Sequence, residues 1–136
     1  MSLVDELKIK YPAANAWQFG DSPELANELA ALVVKGIKTA SCGSLASYQQ
    51  EDGAPLIGSY NIILDGQDVP VCVIRLISMR LLRFCDVTAE LARKEGEGDL
   101  SLGYWRREHQ KFFLREGYFS DEMELVAEEF EVIEVL

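Results

Sequence analysis

The run Pro70–Phe84, PVCVIRLISMRLLRF, restricts the fold more than any other stretch of the chain. Through Ile77 it is apolar on both alternating faces, where a half-exposed strand would show polar residues at every second position. It predicts a central strand covered on both sides, and its length predicts one that curves, as in a small barrel. Ser59–Leu64 is a second strand of similar character, joined to the first through Asp65-Gly66-Gln67-Asp68. The tail from Leu125 to Leu136 alternates Val126, Glu128, Phe130, Val132 and Glu134, which predicts a closing strand with its acids toward solvent.

Helices are punctuated as clearly. In DSPELANELAALVVKG, residues 21–36, Ser22 can cap, Pro23 suits the first helical position, and Gly36 is a natural stop. Leu25, Leu29, Leu32 and Val33 then form one apolar stripe. Residues 101–116, SLGYWRREHQKFFLRE, place Leu102, Trp105, His109, Phe112 and Phe113 on a shared face and end at Gly117. Shorter helices are predicted over 2–10 and over 86–94, the latter capped by Asp86. AWQFGD reads as a loop, and residues 37–48 as a strand breaking into a loop. The expectation is one α+β domain spanning 1–136: a partly closed mixed or antiparallel barrel flanked by two or three helices.

Charge is unevenly spread. The net charge is -10, yet Leu29–Gln50 holds no acid and carries Lys35 and Lys38. Val69–Cys85 again holds no acid and carries Arg75, Arg80 and Arg83, whereas 116–134 holds eight acids and no base. If the two basic segments meet in space, they make one positive site on a negative body. That pattern disfavours a duplex-DNA partner, which requires many neutralised phosphates, and suits a nucleoside or short single strand. No apolar run approaches a membrane span and no signal stretch opens the chain, so cytoplasmic placement is expected. Three cysteines without a Cys-x-x-Cys, and a single histidine, make structural zinc improbable. No phosphate-binding, dinucleotide-binding or nucleophile-elbow motif occurs, and no cofactor is expected.

Three constellations could carry chemistry. Lys38 lies three residues before Ser41 in KGIKTASCGS, and a lysine of lowered pKa can activate a serine hydroxyl. The pair could equally be a solvated lysine and a loop serine, with Thr39 and Ser44 as competing hydroxyls. In an ideal strand residues 38 and 41 point to opposite faces, so cooperation needs a bend near Gly36 or Gly43. Glu95, Glu97 and Asp99 in EGEGD could supply an acid/base or hold a divalent ion; the spacing fails the EF-hand pattern, and an exposed acidic turn fits as well. Trp105, His109, Tyr48 and Tyr60 could stack against bases or belong to the core, and His109, on the apolar face of its helix, reads as a hydrogen-bonded core histidine before a catalytic base.

The segments FGDSPELANELAALVVKGIKTAS, PVCVIRL and AELARKEGEGDLSLGYWRREHQKFF, in that order, resemble the ASCH domain family, relatives of the PUA-like RNA-binding barrels. The resemblance implies a small β-barrel with packed helices and an association with RNA. It also implies kinship to an amidohydrolase acting on N4-acetylcytidine and to a ribonuclease. Carried over position by position, the amidohydrolase's catalytic lysine falls on Lys38, its hydroxyl on Ser41 (serine where that relative has threonine), and its acid on Glu95, with Glu97 adjacent. On that reading Ser41 attacks an acyl carbon, Lys38 takes its proton, and Glu95 orients the pair or protonates the leaving amine. Lys35, Thr39, Arg75, Arg83, Glu97 and Trp105 are then candidates for holding a nucleoside or short single-stranded RNA. A ribonuclease reading would leave room for a divalent ion, and a binding module would need no chemistry. A monomer or homodimer is expected.

Overall fold

The computed structural model describes residues 2–136. Its elements run α1 (Leu3–Lys10), β1 (Asn15–Gln18), α2 (Pro23–Val34), β2 (Ala40–Ser44), α3 (Leu45–Gln50), β3 (Tyr60–Leu64), β4 (Pro70–Arg83), α4 (Ala89–Glu95), α5 (Leu102–Glu116) and β5 (Glu124–Val135). The strands form one five-stranded sheet in the order β1-β3-β4-β5-β2. Among the described residues only the β1–β3 pairing is parallel.

β4 is the central strand its composition demands. Cys72, Val73 and Ile74 are each essentially inaccessible to solvent, although successive residues face opposite ways. One side packs against α2 and Phe130, the other against α1 and Leu64. Register shifts at Val73/Ile74 and at Leu76/Ser78 curl β4 against β5, and Ile77, inside the second shift, is turned out to solvent. The sheet is therefore a half-barrel. A separate cluster built on Phe84, Trp105 and Phe113 lies where α4 and α5 cover the β2–β5 end.

Ser22 caps α2 through a 3.1 Å bond from Leu25 N–H, and Gly36 follows its end at φ +76°, as their residue types suggested. Other boundaries differ from expectation. Five α-helices flank the sheet among the described residues, where two or three were anticipated; the additional ones are short. Part of AWQFGD is β1, an edge strand whose pairing lies about 46 residues away on β3, beyond any local pattern. The strand predicted over 37–48 is confined to Ala40–Ser44, after which Ser44 caps α3. α4 is capped by Thr88; Asp86 belongs to a preceding 3-10 turn and pairs with Arg83. Among the described residues no helix is long and apolar enough to cross a membrane.

Candidate functional site

The site begins at a close approach of two backbones. Gly96 ends α4 at φ +75°, and a Cβ there would lie 2.7 Å from the Ile37 carbonyl oxygen, so only glycine fits without displacing the chain. The contact is fixed by Thr39 N–H donating to the Lys94 carbonyl at 2.7 Å. It brings the last residue of α4, Glu95, against Lys38, which lies in the bend between Gly36 and β2. EGEGD is consequently no exposed acidic turn at its start: Glu95 is 1% exposed and Lys38 2%.

Lys38 Nζ donates to Glu95 Oε1 at 3.3 Å, to the Glu95 carbonyl at 3.3 Å and to Glu97 Oε2 at 3.2 Å. All three ammonium protons thus have acceptors. Phe19 presents its ring 5.5 Å from Nζ. Glu95 is held in turn by α5. Trp105 Nε1 donates to its Oε2, and His109 Nε2 lies 3.5 Å from its Oε1. The two rings stack with centroids 4.0 Å apart, and His109 Nδ1 sits 2.9 Å from the Trp105 carbonyl. The i,i+4 spacing that places both on the apolar face of α5 also aims both polar edges at one carboxylate.

A cavity of about 390 Å³ opens over this cluster. Lys38, Ser41, Glu95 and Glu97 all contribute to its wall, together with His109 and Phe19. Its volume lies in the range of small-ligand pockets. The model of the ASCH domain matches residues 15–134, nearly the whole chain and all of these wall residues. The chain belongs to the ASCH domain family. Two solved structures agree with that in sequence and in shape. An ASCH domain from Lactobacillus crispatus JV V101 is 33% identical at a TM-score of 0.83, the alignment covering 97% of this chain and 86% of that one. A protein from Enterococcus faecalis V583 is 36% identical at the same TM-score and with the same coverage. ZmASCH from Zymomonas mobilis, 12% identical over 90% of this chain and 71% of its own at a TM-score of 0.54, shares the fold. Comparison with curated proteins gives no match. The curled sheet with packed helices is the ASCH, PUA-like architecture, in a family associated with RNA binding.

Burial alone would discharge both members of the Lys38–Glu95 pair, but their mutual attraction outweighs it. Burial pulls the Lys38 ammonium down; the charges of Glu95 and Glu97 overcome this and raise it. Burial pushes the Glu95 carboxyl up; Lys38, then His109, then Trp105 bring it well below the usual range. His109 is raised because the bond and charge from Glu95 exceed the cost of its burial. Cys42, behind this cluster, has its thiol pushed well up by burial and by Glu95, so it is no thiolate nucleophile at neutral pH. Glu95, Glu97 and His109 could each direct one atom to a common metal position. The Lys38 ammonium already sits within hydrogen-bond reach of both carboxylates, as an internal cation for that donor set.

The other expected site residues scatter. Trp105 is 2% exposed and acts beneath the cavity as a donor to Glu95, offering no face to a base. Thr39 is used by the Lys94 carbonyl, and neither it nor Lys35, which is exposed at the end of α2, lines the cavity. Arg75 lies over the Tyr60 ring and bonds the Gly58 carbonyl, while Arg83 pairs with Asp86 at 3.0 Å. Neither lines the cavity. The two basic segments therefore do not build a positive hollow. The wall carries Glu28, Glu95, Glu97, Glu108 and Glu116 against Lys38, Lys111 and Arg115. His109, which the sequence suggests as a core histidine, lines the cavity, and Glu97 joins Glu95 on Lys38, so two acids rather than one hold the lysine.

Proposed function

We propose that the protein hydrolyses the amide of an uncharged N-acylated nucleobase or nucleoside of the N4-acylcytidine type. One observation carries the reading: Lys38, Ser41, Glu95 and Glu97 line one cavity, with the lysine ammonium locked at its wall. A buried fixed charge and a hydroxyl on the wall of one cavity suit acyl transfer, because negative charge develops on the carbonyl oxygen as the hydroxyl adds. The acid-rich wall favours a neutral ligand over a phosphodiester chain, whose charge it would repel.

In this scheme Ser41 Oγ bonds to the acyl carbon while the carbonyl π pair moves onto oxygen, where Lys38 offers its positive charge. Collapse breaks the C–N bond, and the leaving nitrogen takes up the one proton that Ser41 Oγ has shed, so the free amine departs neutral. Water then cleaves the serine ester, giving the free acid and restoring the hydroxyl. Lys38 serves as ammonium throughout. Its raised pKa leaves it no lone pair to take the Ser41 proton, so a base role for this lysine does not suit the site. Glu95 and Glu97 keep it charged and in place.

N4-Acetylcytidine turnover, followed as cytidine release by chromatography, tests the reading. The parent protein is expected to turn over, Ser41→Ala to lose about 10²-fold or more, and Lys38→Met to lose a similar factor. Absence of turnover in the parent, or full activity in Ser41→Ala, overturns it. Cleavage of single-stranded RNA through Lys38 would favour the ribonuclease reading instead.

A further inference from the structure

Ser41 faces a second acidic group that the Lys38 cluster does not include. β2 and β5 run antiparallel with Ser41 directly opposite Glu128, and side chains so paired project from the same face with Cβ atoms about 4.5–5.5 Å apart. On its other flank Glu128 is paired with Met79 of β4, and along its own strand Val126 and Phe130 share its face. Ser41 and Glu128 both line a cavity of about 550 Å³ adjoining the first, the two sharing Ser41, Cys42 and Phe19 as a common wall. The acids expected to point to solvent from β5 therefore include one that does not.

Glu128 is also without a cation. Glu129 binds Lys94 and Glu134 binds Lys10, yet no ion pair or hydrogen bond reaches the Glu128 carboxylate among the described residues. The charged groups around it are Glu51 and Asp52 from the segment after α3, and Lys8 from α1. Burial, and then Glu51, push its carboxyl up to about 7. A carboxylate that half-holds its proton at neutral pH is matched to general-base work.

We infer that Glu128 is the proton acceptor for Ser41, an assignment that rests on the acyl-transfer reading above. As Ser41 Oγ bonds to the acyl carbon, its proton passes to a Glu128 carboxylate oxygen. The same proton goes to the nitrogen as the C–N bond breaks. In the second half Glu128 takes a proton from the attacking water and returns it to Oγ when the ester opens, so the cycle closes without other reagents. The division of labour is spatial: positive charge for the oxyanion from the Lys38 side of β2, proton transfer from the β5 side.

Ser41 reactivity toward a fluorophosphonate, read by mass spectrometry of the labelled peptide, tests this independently of the natural substrate. Labelling of the parent is expected at Ser41, rising with pH through a midpoint near 7. Glu128→Gln should slow it by about 10²-fold. Glu51→Gln, which leaves Glu128 in place, should move the midpoint to lower pH by removing a like charge. Unlabelled Ser41, parent-like labelling of Glu128→Gln, or a midpoint indifferent to Glu51→Gln overturns the assignment. If acylated cytidine is not hydrolysed while labelling still depends on Glu128, the substrate reading fails and the Glu128 assignment stands. If cytidine release proceeds through Ser41 at full rate in Glu128→Gln, the reverse holds.

Discussion

Glu95 and Glu128 stand on either side of β2, and the fold treats them in opposite ways. Glu95 is fully enclosed but surrounded by Lys38, Trp105 and His109, and it stays ionised. Glu128 is less enclosed but has apolar strand neighbours and a nearby acid, and it is driven toward its protonated form. Depth of burial does not order the two; the supply of partners does. The first carboxylate can anchor a charge because it does not titrate near neutrality. The second can move a proton because it does.

Breaking the anchored side should produce the largest effect on stability. Lys38→Met keeps much of the volume but strands Glu95 in a dry site with only His109 as a possible counter-charge. A loss of about 3–5 kcal/mol is expected from denaturant unfolding. Adding Glu95→Gln should recover a good part of it, since the fully buried carboxylate is then neutral, Trp105 can still donate, and the Glu97 charge left behind is 22% exposed. If the double variant is no better than Lys38→Met, the cost is packing rather than an unpaired charge, and the contrast between the carboxylates loses its basis.

The pH dependence sharpens the contrast because the two signs are opposite. Glu95, with a folded pKa below its unfolded value of 4.5, adds stability that is present above pH 4.5 and lost as pH falls toward the folded value. Glu128, with a folded pKa of about 7 against 4.5 unfolded, lets the folded state hold the extra proton. Its ionisation therefore costs stability as pH rises from 4.5 through 7. Glu128→Gln should accordingly unfold at higher denaturant than the parent at pH 8, by about 1–3 kcal/mol, and show little advantage at pH 4. A variant that is more stable yet slower is the expected signature of a strained functional carboxylate. Equal stability at pH 8 would show that Glu128 ionises without cost.

Much of the frame was legible in the sequence, because its signals are local. The apolar run of β4 demanded a strand covered on both faces, and Ser22, Pro23 and Gly36 marked the limits of α2. Lys38, Ser41 and Glu95 could be named through the family resemblance, and the structure gathers them around one cavity. What sequence could not show depends on pairings between distant segments. β1 exists because β3 accepts it, and Glu128 faces Ser41 only through a register linking residues 87 positions apart. The acid-free segments misled about charge for the same reason: Arg75, within β4, is taken up by the Gly58 carbonyl and Arg83, at its end, by Asp86, and neither lines the cavity that Lys38 lines. The spacing of Trp105 and His109 is a readable sign, since two polar-edged rings at i and i+4 can meet one buried acceptor.

Glu97 offers the smallest test, on the anchored side. It shares Lys38 with Glu95 at almost the same distance, but its side chain is 22% exposed where that of Glu95 is 1%. Solvent can replace part of what Glu97 gives, whereas nothing reaches Lys38 from behind Glu95. Glu97→Gln should therefore cost no more than about 1 kcal/mol, and less at high salt, because the amide oxygen still accepts from Nζ. Glu95→Gln alone, by comparison, should cost several times as much, since it removes a fully buried negative charge facing a fully buried ammonium. If the two single variants unfold together, enclosure is not what separates these acids. The pair around Lys38 would then act as one shared, solvent-screened charge, and what keeps Glu95 ionised where Glu128 is not would rest on Trp105 and His109 alone.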